Sequence, residues 1–318
     1  MSTAAQPQLS SFARDVAAGL ADPVQKYISA RYFYDDLGSA LFEAITLLPE
    51  YGLTRADQRL LKMHADEIAC AAGAVSLVAE LGSGSGKKTR NIVTALSKRT
   101  STVRYSPIDV SAAALAHCKK ELCDVVNVLP VCADWLEGLT EIARERAGGE
   151  SFLLLFLGSS IGNLERNCIP DFLKRIRSQL QPGDYFLIGA DLVKDVDSMM
   201  AAYDDATGVT AAFNLNLLAR INRELNANFD LRSFSHEVRW NHRDRRIEMH
   251  LLSGRNQTVY IGAVYLTIEF QAGETIWTES SHKFTVGELN DYARISGFVP
   301  AKLWIDDEWP FVEALWKA

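Results

Sequence analysis

Between about residues 75 and 192 the chain alternates short apolar runs with stretches of helical pattern, and that alternation leaves few architectures open. "VSLVAEL" reads as a strand with a helix from Thr89 behind it; "TVRYSPIDVS" reads as a strand followed by a helix through "AAALAHCKKEL". "NVLPVCADW" is a third strand with a short helix after it, and "SFLLLFLGSS" a fourth, followed by a helix through "DFLKRIRSQL". A Pro-Gly turn in "QPGDYFLIGADL" leads into a fifth strand. Strands joined by helical crossovers run parallel, and a parallel sheet is covered on both faces. The expected fold class is therefore α/β, with a doubly wound sheet.

After Asp191 the pattern changes. "VDSMMAAYDDATGVTAAFNLNLLARINREL" reads as two helices broken near Gly208, and "SFSHEVRWNHRDRRIEMHLLSGRNQTVYIGAVYLTIEF" as antiparallel strands with turns at "NHRD" and "SGRNQ". A helix from about Val286 and one last strand near "AKLWIDDEW" complete the reading, the strand returning to the parallel sheet. Residues 56–191 and 283–318 are thus expected to form the doubly wound domain. Residues 1–55 and 192–282 are expected to form an interleaved α+β substrate-binding domain.

Composition narrows the partners. The chain has 318 residues, 48% hydrophobic and 23% charged, enough for one large domain or two modest ones. A net charge of −7 provides no positive field for nucleic acid or an anionic membrane, so a small neutral or zwitterionic partner fits better. No apolar stretch approaches the roughly 20 residues that span a bilayer, and "MSTAAQPQLSSFARDVAAGL" lacks a basic segment followed by an apolar run. A soluble, cytoplasmic monomer with no membrane partner is expected. Five cysteines without CxxC spacing read as reduced thiols. His236, His242, His250 and His282 lack the spacing of helical metal-ligand pairs, so no metal site is expected.

The strand in "LVAELGSGSGKKTRNIV" runs into a glycine-rich turn and then a helix, a unit that can hold a phosphate, a dinucleotide or an adenosyl group. Gly82, Gly84 and Gly86 supply positive φ and let a ligand approach the backbone. Lys88 and Thr89 imitate the end of a phosphate loop, but Lys87 stands where GxxxxGK needs glycine, and the same residue breaks GxGxxG. Acidic Glu80 precedes the turn, Asp109 stands at the tip of the second strand, and Asp134 with Trp135 at the tip of the third. A carboxylate for the ribose hydroxyls, another for the adenine amino group and an aromatic neighbour describe an adenosine pocket without a pyrophosphate. That favours S-adenosylmethionine over NAD.

The runs "RYFYDDLGSALFEAITLLPEYGLTRAD", "AELGSGSGKKTR", "PIDVS", "LGSSIGNL", "YDDATGVTAAFNLNLLARINREL", "RIEMHL" and "TESSHKF" span nearly the whole chain. Together they resemble the histidine-specific N-alpha-methyltransferases of ergothioneine biosynthesis. The resemblance implies a Rossmann-like class I S-adenosylmethionine-dependent methyltransferase that converts L-histidine to N,N,N-trimethylhistidine, hercynine. The alternative it leaves is an N-methyltransferase acting on tryptophan or another aromatic amino acid. It implies that Gly82, Gly84, Lys88, Asp109, Asp134 and Trp135 form the cofactor site. It further implies that Asn163 and Tyr203 hold the amino and carboxylate ends of the substrate, with Tyr34 near the amine; Asn163 and Tyr34 are the implied catalytic pair. Tyr51, Glu279 and Ser281 match residues facing the imidazole, and Met249 one that shapes the side-chain pocket. Gly86 and Lys87 depart from the polar or acidic residues expected in that turn.

Imidazole offers one donor and one acceptor nitrogen when neutral and two donors when charged. Glu279 can accept from a ring N–H, and Ser281 can donate or accept. Each residue also has a plainer reading. Glu279 can pair with Lys283 two positions beyond Ser281, Asn163 can cap a helix before "LERN", and Tyr51 and Tyr203 can be core aromatics. Methyl transfer from a sulfonium needs the neutral amine placed behind the methyl carbon, so positioning is the main task of such a site.

Overall fold

The computed structural model describes residues 9–100 and 102–318 and divides the chain into two compact units. Residues 1–8, which the sequence reading assigns to the substrate-binding part, lie outside the described residues. The larger unit comprises Tyr51–Asp195, Arg243–Arg245 and Ser281–Ala318. Its first strands are β1 (Leu77–Leu81), β2 (Arg104–Asp109), β3 (Asn127–Val128), β4 (Val131–Cys132), β5 (Phe152–Phe156) and β6 (Tyr185–Asp191). All five residues of β1 and all five of β5 are buried, as continuous apolar runs must be in the middle of a sheet covered on both faces. β1 pairs in parallel with both β2 and β5, and β5 pairs in parallel with β6.

The expected third strand is not continuous. Pro130 has no N–H to donate to a ladder, and the run divides into β3 and β4, each pairing with β2. The helix behind it, Trp135–Glu145, has 11 residues and is not short. Asp134 starts it by accepting the Leu136 N–H at 3.0 Å. Ser111 does the same for the helix Ala112–Leu122, accepting from Ala114.

Among the described residues the smaller unit comprises residues 9–50, Val196–His242 and Arg246–Ser280. Its strands are β7 (Phe234–Asn241), β8 (Arg246–Ser253), β9 (Gln257–Ile261), β10 (Leu266–Phe270) and β11 (Thr275–His282), the last two residues of β11 belonging to the larger unit. β7 and β8 form the expected hairpin, but the "SGRNQ" turn does not join ladder partners: β8 lies between β7 and β11, while β9 pairs with β10. Helices Ser11–Leu20, Asp36–Ile45, Val196–Tyr203 and Val209–Leu225 complete this unit. Asp35 ties two of them, capping Gly38 at 2.7 Å and accepting from Asn216 at 2.8 Å.

Back in the larger unit, the helix Val286–Ile295 has a capping box between Thr285 and Glu288. It is followed by two strands, β12 (Val299–Ile305) and β13 (Phe311–Lys317), where a single strand is expected from sequence. Both are antiparallel: β13 pairs with β6 from Phe311 opposite Asp191 to Lys317 opposite Tyr185, and β12 pairs with β13. The turn at Asp306 reverses the chain, its carboxylate accepting from the Glu308 and Trp309 N–H groups and from Arg59. The sheet order is β12-β13-β6-β5-β1-β2-β3. Phe152, Phe156, Phe186 and Trp316 are all at or below 1% exposed in its core. Among the described residues no helix is long and apolar enough to cross a membrane.

Candidate active site

The glycine turn leaves β1 with Gly82, Gly84 and Gly86 all at positive φ. The Gly82 and Ser83 N–H groups donate to the Ile108 carbonyl at 2.8 and 3.2 Å, which pins the turn to the end of β2. Asp109 then accepts the Gly84 N–H at 3.0 Å through one oxygen and the Ser111 N–H at 2.9 Å through the other. Burial raises its carboxyl above the ordinary range against the pull of those donors. No atom lies within 4 Å of where a Gly84 side chain would start, so the backbone there is open to a ligand. Trp135 borders the same turn, its indole nitrogen 3.2 Å from the corresponding point on Gly82. An open backbone, a carboxylate at a strand tip and an aromatic edge suit an adenosyl group. The sequence-predicted Gly82, Gly84, Asp109 and Trp135 are thus brought together, and Asp134 is exposed at the helix start beside Trp135.

Lys88 lies deeper than the sequence suggests. Its ammonium is 2.7 Å from Asp57, and a side chain on Gly158, which sits at φ +73°, would begin 2.8 Å from it. The loop after β5 therefore crosses the ammonium where only glycine fits. Asp57, Glu80 and Glu313 are all 0% exposed. Burial lowers the Lys88 pKa, but Asp57 and Glu80 outweigh it and raise the group overall. Burial and then Asp57 push the Glu313 carboxyl far above its usual range.

Glu80 does not reach a ligand edge; it accepts from Thr89 at 2.6 Å and Tyr105 at 2.5 Å beneath the turn. Burial raises its carboxyl from 4.5 to about 7. Between those values the folded chain keeps a proton on Glu80 that the unfolded chain has released, so the contribution of this group to stability is fully present below pH 4.5 and is lost as the pH rises to 7. Glu80→Gln retains an oxygen acceptor for Thr89 and Tyr105 and removes that decline. The variant should be more stable than the parent at pH 8 by about 1–3 kcal/mol. It should have no such advantage at pH 4.5, as urea unfolding across the pH range would show.

Asn163 closes a one-turn 3-10 helix, Ser160–Asn163, entered through Ser159 at φ +59°. It does not cap a helix: the next one starts at Ile169. Ser159 accepts the Asp191 N–H at 2.9 Å, which fastens this turn to the tip of β6. Asp191 in turn receives the ammonium of Lys283 at 2.9 Å, that of Lys194 at 2.5 Å and the Trp309 indole N–H at 2.9 Å. Burial lowers Lys194 to about 8. Lys283, the structural partner considered for Glu279, thus has Asp191 as a partner and also donates to Ser281 at 3.0 Å.

The expected substrate residues divide between the units. Tyr51, Asn163 and Ser281 belong to the larger one, and Tyr34, Tyr203, Met249 and Glu279 to the smaller. Tyr34 is 36% exposed, with its ring edge-on to Phe42 and Phe213. Tyr203 ends its helix and its carbonyl meets His236 at 2.8 Å. Met249 is buried on β8 opposite Val238, its carbonyl accepting from Thr278 at 3.0 Å. Glu279 is half-buried on β11, and its carbonyl accepts the Trp277 indole N–H at 2.9 Å. The histidines are engaged in hydrogen bonds: His236 with Asn214, His242 with Trp240, His250 with Glu248, and His282 with the Asp244 carbonyl.

Sequence reasoning missed Asp57, Asp191 and Glu313. Glu313 interrupts an apolar segment, which is the signal available for a charge that is buried and paired.

The sheet order and glycine turn define a doubly wound α/β fold with open backbone at the end of β1. The histidine-specific, S-adenosylmethionine-dependent methyltransferase family matches residues 12–318, and the chain belongs to it. It is 43% identical over 301 residues to a histidine N-alpha-methyltransferase of Mycobacterium tuberculosis (strain CDC 1551 / Oshkosh), covering 94% of this chain and 92% of the relative. The same identity holds over 284 residues with a histidine N-alpha-methyltransferase of Mycolicibacterium smegmatis, covering 88% and 87%. Ergothioneine biosynthesis protein 1 of Neurospora crassa is 33% identical over 200 residues, 59% of this chain and 22% of that protein.

Proposed function

We propose that the chain transfers methyl groups from S-adenosylmethionine to the α-amino group of L-histidine, giving N,N,N-trimethylhistidine, hercynine, for ergothioneine biosynthesis. The observation that carries this reading is 43% identity to a histidine N-alpha-methyltransferase across 94% of the chain. The tryptophan alternative is not favoured, because the matching family is histidine-specific. The proposal places the enzyme in the cytoplasm as a monomer, which light scattering on the eluting protein would check.

In this reading residues 56–191 and 283–318 bind the cofactor and residues 1–55 and 192–282 the substrate. Gly82, Gly84, Asp109, Asp134 and Trp135 take the adenosyl group, and Lys88 supports the turn from below. The cofactor, when bound, supplies an activated methyl group. The chain's own task is to hold the amine neutral and aimed. An α-amino group titrates near 8 in peptides, and its loss of a proton is helped where acceptors await the remaining N–H groups. The Asn163 amide oxygen is such an acceptor, and the Tyr34 ring face suits the cation that grows as methyl groups are added. Tyr203 contacts the carboxylate end; Tyr51, Met249, Glu279 and Ser281 surround the ring.

Asp109→Ala removes two turn-fixing acceptors. Loss of about 1.5–3 kcal/mol of charged hydrogen bonding should weaken S-adenosylhomocysteine binding about 10- to 100-fold, measured by calorimetry. Mass spectrometry of the enzyme with S-adenosylmethionine and an equimolar mixture of the twenty amino acids tests the function itself. Histidine alone should gain three methyl groups; methylation of tryptophan instead would reject the substrate assignment.

A further inference from the structure

Asn214, on the helix Val209–Leu225, is 0% exposed and commits both of its N–H groups to other elements. Its nitrogen is 3.0 Å from the His250 carbonyl on β8 and 2.9 Å from Nδ1 of His236 on β7. Its oxygen has no hydrogen-bond partner among the described residues. A main-chain carbonyl can only accept, so the atom facing His250 must be the amide nitrogen, and the amide cannot be turned over. The second hydrogen is then left for His236 Nδ1, which accepts it. The other ring nitrogen, Nε2, is 2.8 Å from the Tyr203 carbonyl and must donate. Two carbonyls at the ends of this relay thus fix His236 as the tautomer with its hydrogen on Nε2.

Both ends of the relay adjoin residues that the proposed function gives to the substrate. Tyr203 is the last residue of the helix Val196–Tyr203, so its carbonyl is among the four that a helix leaves without an intrahelical partner. His250 follows Met249 on β8, and both of their carbonyls are held, Met249 by the Thr278 hydroxyl at 3.0 Å and His250 by Asn214. We propose that His236, oriented by Asn214, is a positioning residue for the substrate amino acid: it fixes the helix end that presents Tyr203 against the stretch of β8 that presents Met249. This rests on the assignment of Tyr203 to the carboxylate end of the substrate and of Met249 to its side-chain pocket. His236 acts through Tyr203 and has no part in the methyl transfer itself. Tyr203, Asn214, His236, Met249 and His250 all belong to the smaller unit, and Gly82, Gly84 and Asp109 to the larger. Loss of the relay should therefore be felt by histidine and not by the cofactor.

The test is steady-state kinetics of His236→Leu, which removes donor and acceptor together, beside His236→Gln, whose amide offers one of each. His236→Leu should raise the KM for histidine about tenfold, the worth of one buried hydrogen bond. The KM for S-adenosylmethionine should stay within about twofold. His236→Gln should bring the histidine value back to within about threefold of the unaltered enzyme. Tyr203→Phe removes the hydroxyl through which His236 acts, so adding His236→Leu to it should raise the KM for histidine no more than about twofold further. An unchanged KM for histidine in His236→Leu, an equal rise for both substrates, or full additivity with Tyr203→Phe overturns the proposal while histidine stands as the substrate. Failure of the unaltered enzyme to methylate histidine overturns the functional assignment and the proposal with it. If His236→Leu does not fold, 15N spectra of the histidine side chains in the unaltered enzyme decide, with the His236 signals identified by their loss in His236→Gln. A bare Nδ1 and a protonated Nε2 are expected; a proton on Nδ1 overturns the proposal.

Discussion

Lys88→Met will destabilise the protein by about 3–5 kcal/mol, the usual consequence of removing one partner from a buried ion pair. The ammonium is the cation beside Asp57, at 2.7 Å, and it also lowers the pKa of Glu80 and Glu313. Methionine fills much the same volume, so the loss is electrostatic and not a cavity effect. Its pH dependence gives the cause away. At pH 8 the variant must leave acids charged in a dry interior or bind protons against the solution; at pH 5 protonation comes easily. The loss measured by urea unfolding should therefore be larger at pH 8 than at pH 5. A loss below about 1 kcal/mol, equal at both pH values, would show that the acids do not depend on Lys88.

Glu279→Ala should reduce histidine affinity about 100-fold, the value of a charge-assisted hydrogen bond at its upper range. S-adenosylhomocysteine affinity should stay within about twofold. The contrast is informative because alanine keeps the main-chain carbonyl that accepts from Trp277, so β11 keeps that tie. Calorimetry with each ligand measures both quantities. An equal loss for cofactor analogue and histidine would count against Glu279 as a ring contact and suggest general damage.

The parallel strands were legible because each is a short apolar run between turn signals, and β1 and β5 are buried along their full length as such runs require. The third strand was misread because Pro130 was absorbed into a run it interrupts. β13 was missed for a different reason: "FVEALWK" carries Glu313 at its centre, and an acid among apolar residues does not read as the interior of a sheet. Its burial is explicable only once Lys88 and Asp57, each from a distant segment, are in place. The same limit governs the site. Asp109 was visible at a strand tip, but its hold on Gly84 needs coordinates. Asp191 reads as the last residue of a strand, and nothing local in the sequence says that Lys194, Lys283 and Trp309 converge on it.

The pairing of β6 with β13 has a consequence for how the protein is made. Phe311 lies opposite Asp191, more than a hundred residues earlier in the chain. Ribosomes add about 5–20 residues per second, so β6 emerges on the order of ten seconds before the strand that covers its edge. During that interval Tyr185–Asp191, buried on the finished sheet except at its first residue, exposes an apolar ladder to any other nascent chain. The smaller unit's helices and strands from Val196 to Ser280 are synthesised in that interval. Slower translation through residues 192–310 thereby lengthens the interval in which β6 can pair wrongly, and in which holding chaperones can cover it.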